Sequence, residues 1–315
     1  DQATNVRESE ELDTDALQAW LADNAPDIAG DIELQQFPSG HSNLTYLIRI
    51  DGDDYVLRRP PFGAENIAKG HDMSREYTVL SHLDGVFDKA PGTVAFCEDD
   101  EVIGAPFYIM ERVEGVILRG SNPDVPDLDE QTMAGLSESL VRTLSEIHEI
   151  DLEACGLDDF GKPDGYVERQ VMGWTKRYTK SQTDDIPAMD EVGRWLKESM
   201  PDDVGPALIH NDFKYDNVVL DPEDLTQVNA ILDWEMATVG DPLMDLGTSL
   251  AYWIQPQDPD VLQSLNFGPT ALAGNLTRRE VVDKYAEFSG RDVSDAVFYY
   301  VYGLFKIAVI VQQIY

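Results

Sequence analysis

The chain has 315 residues, 43% of them hydrophobic, and carries 60 acidic against 23 basic side chains for a formal charge of −37. That length and apolar content suffice for a large core, as two ordinary domains or one bilobal unit. The charge repels nucleic acid and anionic membranes, so neither is an expected partner.

Cys97 and Cys155 stand far apart with no metal-like neighbours, which fits a reducing, cytoplasmic setting without a disulfide framework. No unbroken run approaches the ~18 apolar residues of a membrane helix. The N-terminus, DQATNVRESEELD, is acidic and polar and is no signal peptide. It lacks an initiator Met, so the chain is expected to have been processed or trimmed, and the final helix, ending at Tyr315 without cap residues, is expected to continue. The acidity is spread evenly and reads as a solvated surface, suited to a salty cytoplasm where screening weakens self-repulsion. An acidic cleft for a cationic substrate is the alternative. Composition leaves the oligomeric state open.

In chain order, Thr14–Ala22 predicts a helix capped by Thr14, with Leu17, Trp20 and Leu21 on one face. Ile32–Phe37 and Leu44–Ile50 alternate as strands around the polar loop Pro38-Ser39-Gly40-His41-Ser42-Asn43. Asp51-Gly52-Asp53 is a hairpin turn into a strand ending at Arg58. A small polar loop between hairpin strands suits phosphate, because bare backbone N–H groups can approach its oxygens. Asp72–Leu83 predicts a helix with Met73, Tyr77, Leu80 and Leu83 apolar and Glu76 among them. Val94–Cys97 and Phe107–Met110 complete five strands. After the linker Ser121–Pro126 the pattern turns helical: Thr132–Glu149, Val167–Thr179, Met189–Met200, Arg278–Ser289 and Val293–Ile314. His148, a lone helix histidine, is given no catalytic role.

The chemistry concentrates in Ala207–Asp245. An apolar strand, Ala207–Ile209, opens onto His210-Asn211-Asp212-Phe213-Lys214-Tyr215-Asp216-Asn217. A second strand follows at Val218–Leu220, and a third, Ala230–Leu232, delivers Asp233. Apolar strands gain nothing in packing by ending in carboxylates. The Asp212-x-x-x-x-Asn217 spacing with Asp233 on the next hairpin is the layout phosphoryl transfer needs: one carboxylate beside the attacking hydroxyl, an amide oxygen and a second carboxylate on magnesium.

HNDFKYDN, ILDWE and GDPLMD in that order resemble the aminoglycoside phosphotransferase family, small-molecule kinases with a protein-kinase-like fold. Phe37–Tyr46 and Arg58-Arg59-Pro60-Pro61 resemble the branch whose kinase-like domain is fused to acyl-CoA dehydrogenase modules. The resemblance implies a two-lobed α+β fold. Residues 1–113 would form a small lobe with a five-stranded antiparallel sheet and one key helix, and residues 114–315 a larger, mainly helical lobe.

It further implies an ATP- and Mg²⁺-dependent transferase acting on a hydroxyl of a small-molecule acceptor. Asp212 is then the base and Lys214 the charge on the transferring phosphoryl, with Asn217 and Asp233 as the metal ligands. Ser39, Gly40, His41, Ser42 and Asn43 cover the phosphates. Arg58, replacing the usual lysine, contacts them and pairs with Glu76. Backbone around Glu111 and Val113 receives the adenine. Asp241 and Asp245 brace the loop, Glu235 supports it, and the helix bearing Trp174, Arg177 and Tyr178 either borders the acceptor cleft or simply packs. Arg58 in place of lysine keeps open a nucleotide-binding regulatory module without turnover. A magnesium-dependent phosphatase is the third reading, disfavoured because it has no use for a nucleotide lid and hinge.

Overall fold

In the computed structural model, residues 3–38, 43–63, 72–120, 123, 125, 128–265 and 267–314 are described. Contacts divide the chain into two compact units: Asp1–Val116 with Ala230–Glu235, and Ile117–Asn229 with Met236–Tyr315.

The first unit is built on a five-stranded antiparallel sheet. Its strands are β1 (Ile32–Gln36), β2 (Leu44–Ile50), β3 (Asp53–Arg59), β4 (Thr93–Cys97) and β5 (Phe107–Glu111), in spatial order β1-β2-β3-β5-β4. Asp51 (φ 53°) and Gly52 (φ 99°) supply the two positive-φ residues that a tight hairpin requires, which explains the Asp-Gly between β2 and β3. Helix α1 (Thr14–Asn24) is capped by Asp13, one residue before the predicted cap, and buries Leu17 and Leu21 against Tyr46, Ile48, Leu57, Phe107 and Ile109. Trp20 meets Phe107 edge to face at 5.1 Å. Helix α2 (Met73–Leu83) is capped by Asp72 and buries Met73, Val79, Leu80, Leu83 and the carboxylate of Glu76. Helix α3 (Asp100–Ile103) is a single turn before β5.

Chain order alone assigns residues 230–235 to the helical part, yet their contacts group them with the sheet. Ile231 donates its N–H to Lys89 O at 2.7 Å, and Trp234 donates its N–H to Glu76 Oε1 at 3.1 Å.

The second unit holds α4 (Glu130–His148), the short α5 (Leu152–Cys155), α6 (Tyr166–Ser181) and α7 (Pro187–Glu198). Strands β6 (Ala207–Ile209), β7 (Val218–Leu220), β8 (Val228–Ile231) and β9 (Thr238–Gly240) follow, then α8 (Pro242–Tyr252), the short α9 (Asp260–Gln263), α10 (Arg278–Ser289) and α11 (Ala296–Ile314). β6 pairs antiparallel with β9, and β7 pairs with β8, whose last residues carry the chain into the first unit. Buried strand β6 fixes where the polar loop after Ile209 begins.

Counting unbroken apolar runs misses one property of α11, which is long and apolar enough by composition to cross a membrane. In this fold it is a packed helix. Phe298, Tyr299, Tyr302, Phe305, Ile307 and Val309 are buried, and it packs on α8, α6 and α7.

Candidate functional site

In the first unit, charge collects at the end of β3. Arg58 is almost fully buried, and its Nη1 bonds the Glu76 carboxylate while Nη2 reaches Asp233 Oδ1 at 3.0 Å and Glu235 Oε2 at 3.7 Å. Asn43 donates its side-chain amide to the same Glu235 oxygen at 2.6 Å. Burial pushes the Glu76 carboxyl up and Arg58 opposes it. Burial alone would lower the Arg58 guanidinium, but Glu76 foremost, with Tyr108, Asp233 and Glu235, holds it well above the usual range. The Arg58–Glu76 pair expected from the resemblance is therefore formed. Asp233 sits at φ 69°, a left-handed conformation that Asp tolerates better than most residues. Glu111 closes β5 exposed, its N–H spent on Gly92 O at 2.8 Å, and Val113 is half-buried two residues on. Asn43 is described, whereas Ser39, Gly40, His41 and Ser42 lie outside the described residues.

In the second unit, the loop after β6 converges on Asp212. Oδ2 of Asp212 receives Lys214 Nζ at 2.6 Å and Asn217 Nδ2 at 3.1 Å, and Oδ1 receives the Tyr252 hydroxyl at 2.8 Å. Asn217 also donates to Asp212 O at 2.8 Å, so its amide nitrogen is spent and its oxygen is the end left for a cation. Tyr252 is a buried phenol held well above its usual range by burial and then by Asp212.

The loop is braced from behind. The fully buried Asp245 carboxylate accepts N–H bonds from His210 (2.7 Å) and Asn211 (2.8 Å) and faces His148 Nε2 at 3.2 Å. Burial would raise Asp245, yet His148 and His210 keep its carboxyl below the ordinary range. His148 Nδ1 lies 2.7 Å from the Tyr285 hydroxyl. The arrangement that satisfies all three groups has Nε2–H donating to Asp245 and Nδ1 accepting from Tyr285. His210 accepts the Asp212 N–H through Nδ1 at 3.3 Å. Asn211, at φ 66°, turns the loop, and its carbonyl accepts a bond from buried Lys306 Nζ at 3.0 Å. Burial draws the Lys306 ammonium down, opposed by Asp212 and Asp245. Asp241 caps α8 through the N–H groups of Leu243 and Met244, so of the two acids in GDPLMD it is Asp245 that grips the loop directly.

The structure thus brings Asp212, Lys214 and Asn217 into one cluster and Arg58, Glu76, Asp233, Glu235 and Asn43 into another. Tyr252 and Lys306 go unnoticed in the sequence because each sits within an apolar helical pattern. Asn217 and Asp233, the metal ligands that the resemblance implies, each carry a hard oxygen of the kind magnesium takes, and among the described residues no group of three or more His, Cys, Asp or Glu is placed to hold a metal ion. Trp174 and Tyr178 are buried, and the Arg177 guanidinium lies 4.4 Å over the Trp174 ring.

Residues 33–280 match the family model described as the phosphotransferase enzyme family, and the chain belongs to that family, the aminoglycoside phosphotransferases. Its sequence is 34% identical over 313 residues to mouse acyl-CoA dehydrogenase family member 10, covering 98% of this chain but 29% of that protein. The chain therefore spans under a third of that relative's length. A solved protein of Ralstonia eutropha JMP134, provisionally named an aminoglycoside phosphotransferase, superposes with a TM-score of 0.80 at 32% identity, covering 96% of this chain and 89% of the other. The streptomycin–ATP ternary complex of APH(2'')-IIa shares the fold at TM-score 0.56 and 17% identity, covering 97% of this chain and 88% of the other.

Proposed function

We propose that this chain is an ATP- and magnesium-dependent small-molecule kinase that transfers the γ-phosphoryl group to an alcohol. The observation that carries the reading is the Asp212 carboxylate, fixed on both oxygens on a loop whose backbone is gripped by buried Asp245. Such rigidity suits a group that must align a hydroxyl, and alignment is most of what a loose phosphoryl-transfer transition state asks of a protein.

On this reading the acceptor oxygen forms a bond to the γ-phosphorus as the bridging P–O bond breaks and ADP leaves. The hydroxyl proton passes to Asp212 and then to solvent. Lys214, already on Asp212 Oδ2, balances charge on the transferring group. Arg58, held by Glu76, contacts the nucleotide phosphates, and its forked guanidinium does so with a geometry different from that of an ammonium. Residues 39–43 cover those phosphates, and backbone around Glu111 and Val113 accepts the adenine. Asn217 and Asp233 are the protein ligands for magnesium, which when bound neutralises phosphate charge. Residues 1–113 serve the nucleotide, and residues 114–315 supply the catalytic loop and the acceptor cleft. The two buried, unbridged cysteines agree with a cytoplasmic setting.

A regulatory, nucleotide-binding role without turnover draws on one observation, the engagement of Asp233 by Arg58 at 3.0 Å. Magnesium-dependent ATP consumption against a panel of alcohols (aminoglycosides, choline, sugars, hydroxyacyl thioesters) at low and high salt separates the readings. Acceptor-stimulated consumption that Asp212→Ala abolishes, with nucleotide affinity almost unchanged, supports the kinase. Loss of nucleotide binding together with transfer would remove Asp212 from the role of base.

A further inference from the structure

Two cations near the Asp212 loop have no anionic partner in the reading above. Acids outnumber bases 60 to 23 in this chain, so an unpaired cation is unusual. Arg177, on α6, is exposed and stacks its guanidinium on the Trp174 ring, with no carboxylate within ion-pair distance among the described residues. Lys306, on α11, is 4% exposed, forms no ion pair among the described residues, and spends one of its three N–H donors on Asn211 O at 3.0 Å. Its ammonium lies 6.0 Å from the same Trp174 ring and within electrostatic range of Asp212 and Asp245, which favour its charge, and of Lys214 and Arg177, which oppose it. Burying an ammonium with donors unspent is costly unless something compensates it. A guanidinium laid flat on an aromatic face keeps its edge N–H groups directed for a planar anion. From Asp212 the contacts run through Asn211 O to Lys306, then to the Trp174 ring and Arg177, all within the second unit.

We propose that Arg177 and Lys306, gathered around Trp174, recognise a negative group on the phosphoryl acceptor, so that the acceptor is an alcohol bearing a carboxylate or a phosphate. The proposal rests on the kinase reading of the same site. A polycationic aminosugar would meet Lys306 and Arg177, neither in an ion pair among the described residues, whereas an anion gains from both; Lys214 is already paired with Asp212 at 2.6 Å. The chain's overall negative charge does not decide the matter, because salt screens distant charges within about 10 Å at 0.1 M and contacts at hydrogen-bond range far less.

The test measures binding and transfer separately at one fixed ionic strength. The probes are 3-hydroxybutyrate beside its methyl ester, glycerol 3-phosphate beside glycerol, and kanamycin. Calorimetric titration of the wild-type chain with ADP and magnesium present should show at least one anion binding about tenfold or more tighter than its neutral counterpart, the effect of one charge-assisted contact. The preferred pair distinguishes carboxylate from phosphate. Arg177→Gln should erase that preference with the melting temperature held, and Arg177→Lys should retain part of it. Equal binding of charged and neutral partners, tighter binding of kanamycin, or an unchanged preference in Arg177→Gln overturns the proposal. If the Arg177-dependent preference is present but no probe is phosphorylated, the anion site stands and the kinase reading fails. If neutral or cationic alcohols are phosphorylated without anion preference, the kinase reading stands and the anion site falls.

Discussion

The Tyr252 hydroxyl donates to Oδ1 of Asp212 at 2.8 Å, opposite the oxygen that receives Lys214 and Asn217. A carboxylate held this way can swing little, and Tyr252 is anchored in α8, which also carries the bracing Asp245. Tyr252→Phe removes a single neutral donor while water can still reach the partly exposed carboxylate, so the effect is moderate. With an acceptor in hand, kcat should fall about fivefold while the KM for ATP stays within about twofold, since one hydrogen bond is worth about 1 kcal/mol and tenfold about 1.4. Steady-state kinetics checks this; an unchanged kcat would make Tyr252 a packing residue only.

Asp233→Ala should remove the magnesium dependence of nucleotide binding. Arg58 keeps its bond to Glu76 in that variant, so the sheet and the end of β3 should persist. Alanine at φ 69° adds a local cost of about 1–2 kcal/mol, which Asp233→Asn avoids because Asn tolerates that conformation. Titrating ADP with and without magnesium on both variants separates the lost ligand from the strained backbone. Full magnesium dependence in Asp233→Ala would place the metal site elsewhere.

The sheet and the placement of the loop's polar residues were legible because both are written locally. Strands β2 and β3 alternate around an Asp-Gly turn, and the acids of HNDFKYDN and ILDWE stand at the mouths of apolar strands. What escaped depends on partners distant in sequence. β9 has three residues and exists through its pairing with β6, so no local pattern announces it. Tyr252 is 40 residues from Asp212, and Lys306 is 95 from Asn211. Each occupies a core-facing helical position, where a polar tip on a long apolar stem reads as packing. His148, a lone helix histidine with no catalytic role assigned, is a buried hydrogen-bonded residue, but only the fold shows that its partners are Asp245 and Tyr285. The grouping of residues 230–235 with the sheet likewise follows from Glu76 and Lys89, more than 140 residues earlier.

The ionised, buried Asp245 makes the loop sensitive to acid. Its folded-state carboxyl lies below the ordinary range, so the folded chain binds that proton less readily than the unfolded one. Its stabilisation is complete above the unfolded value near pH 4 and is lost as pH falls through the lower folded value. Glu76 and Asp241, raised by burial, act with the opposite sign, and comparing one variant with wild type isolates Asp245. Asp245→Asn sets an amide N–H₂ against backbone donors and should cost about 3–5 kcal/mol at neutral pH. It should also flatten the loss of stability below about pH 4. Denaturant unfolding from pH 3 to 7 measures both; parallel curves for the two proteins would contradict the assignment.

The contact between α8 and α11 sets how closely the braced loop is backed, and it depends on two glycines. A Cβ added at Gly247 would lie 2.2 Å from Tyr299 O, and one at Gly303 would lie 2.3 Å from Gly247 O. Both obstacles are backbone atoms, so no rotamer change relieves them and one helix must move. Alanine's helical advantage over glycine, about 1 kcal/mol, is smaller than overpacking against backbone, about 3 kcal/mol or more, so Gly247→Ala should destabilise by about 2 kcal/mol or more. Gly173, inside α6, supplies the control, because a Cβ there meets nothing within 4 Å. Gly173→Ala should be neutral or stabilise by up to about 1 kcal/mol. Thermal unfolding of the two variants checks the pair, with a drop of about 4 °C or more expected for Gly247→Ala. Equal melting temperatures would mean that α8 and α11 stand farther apart than this packing requires.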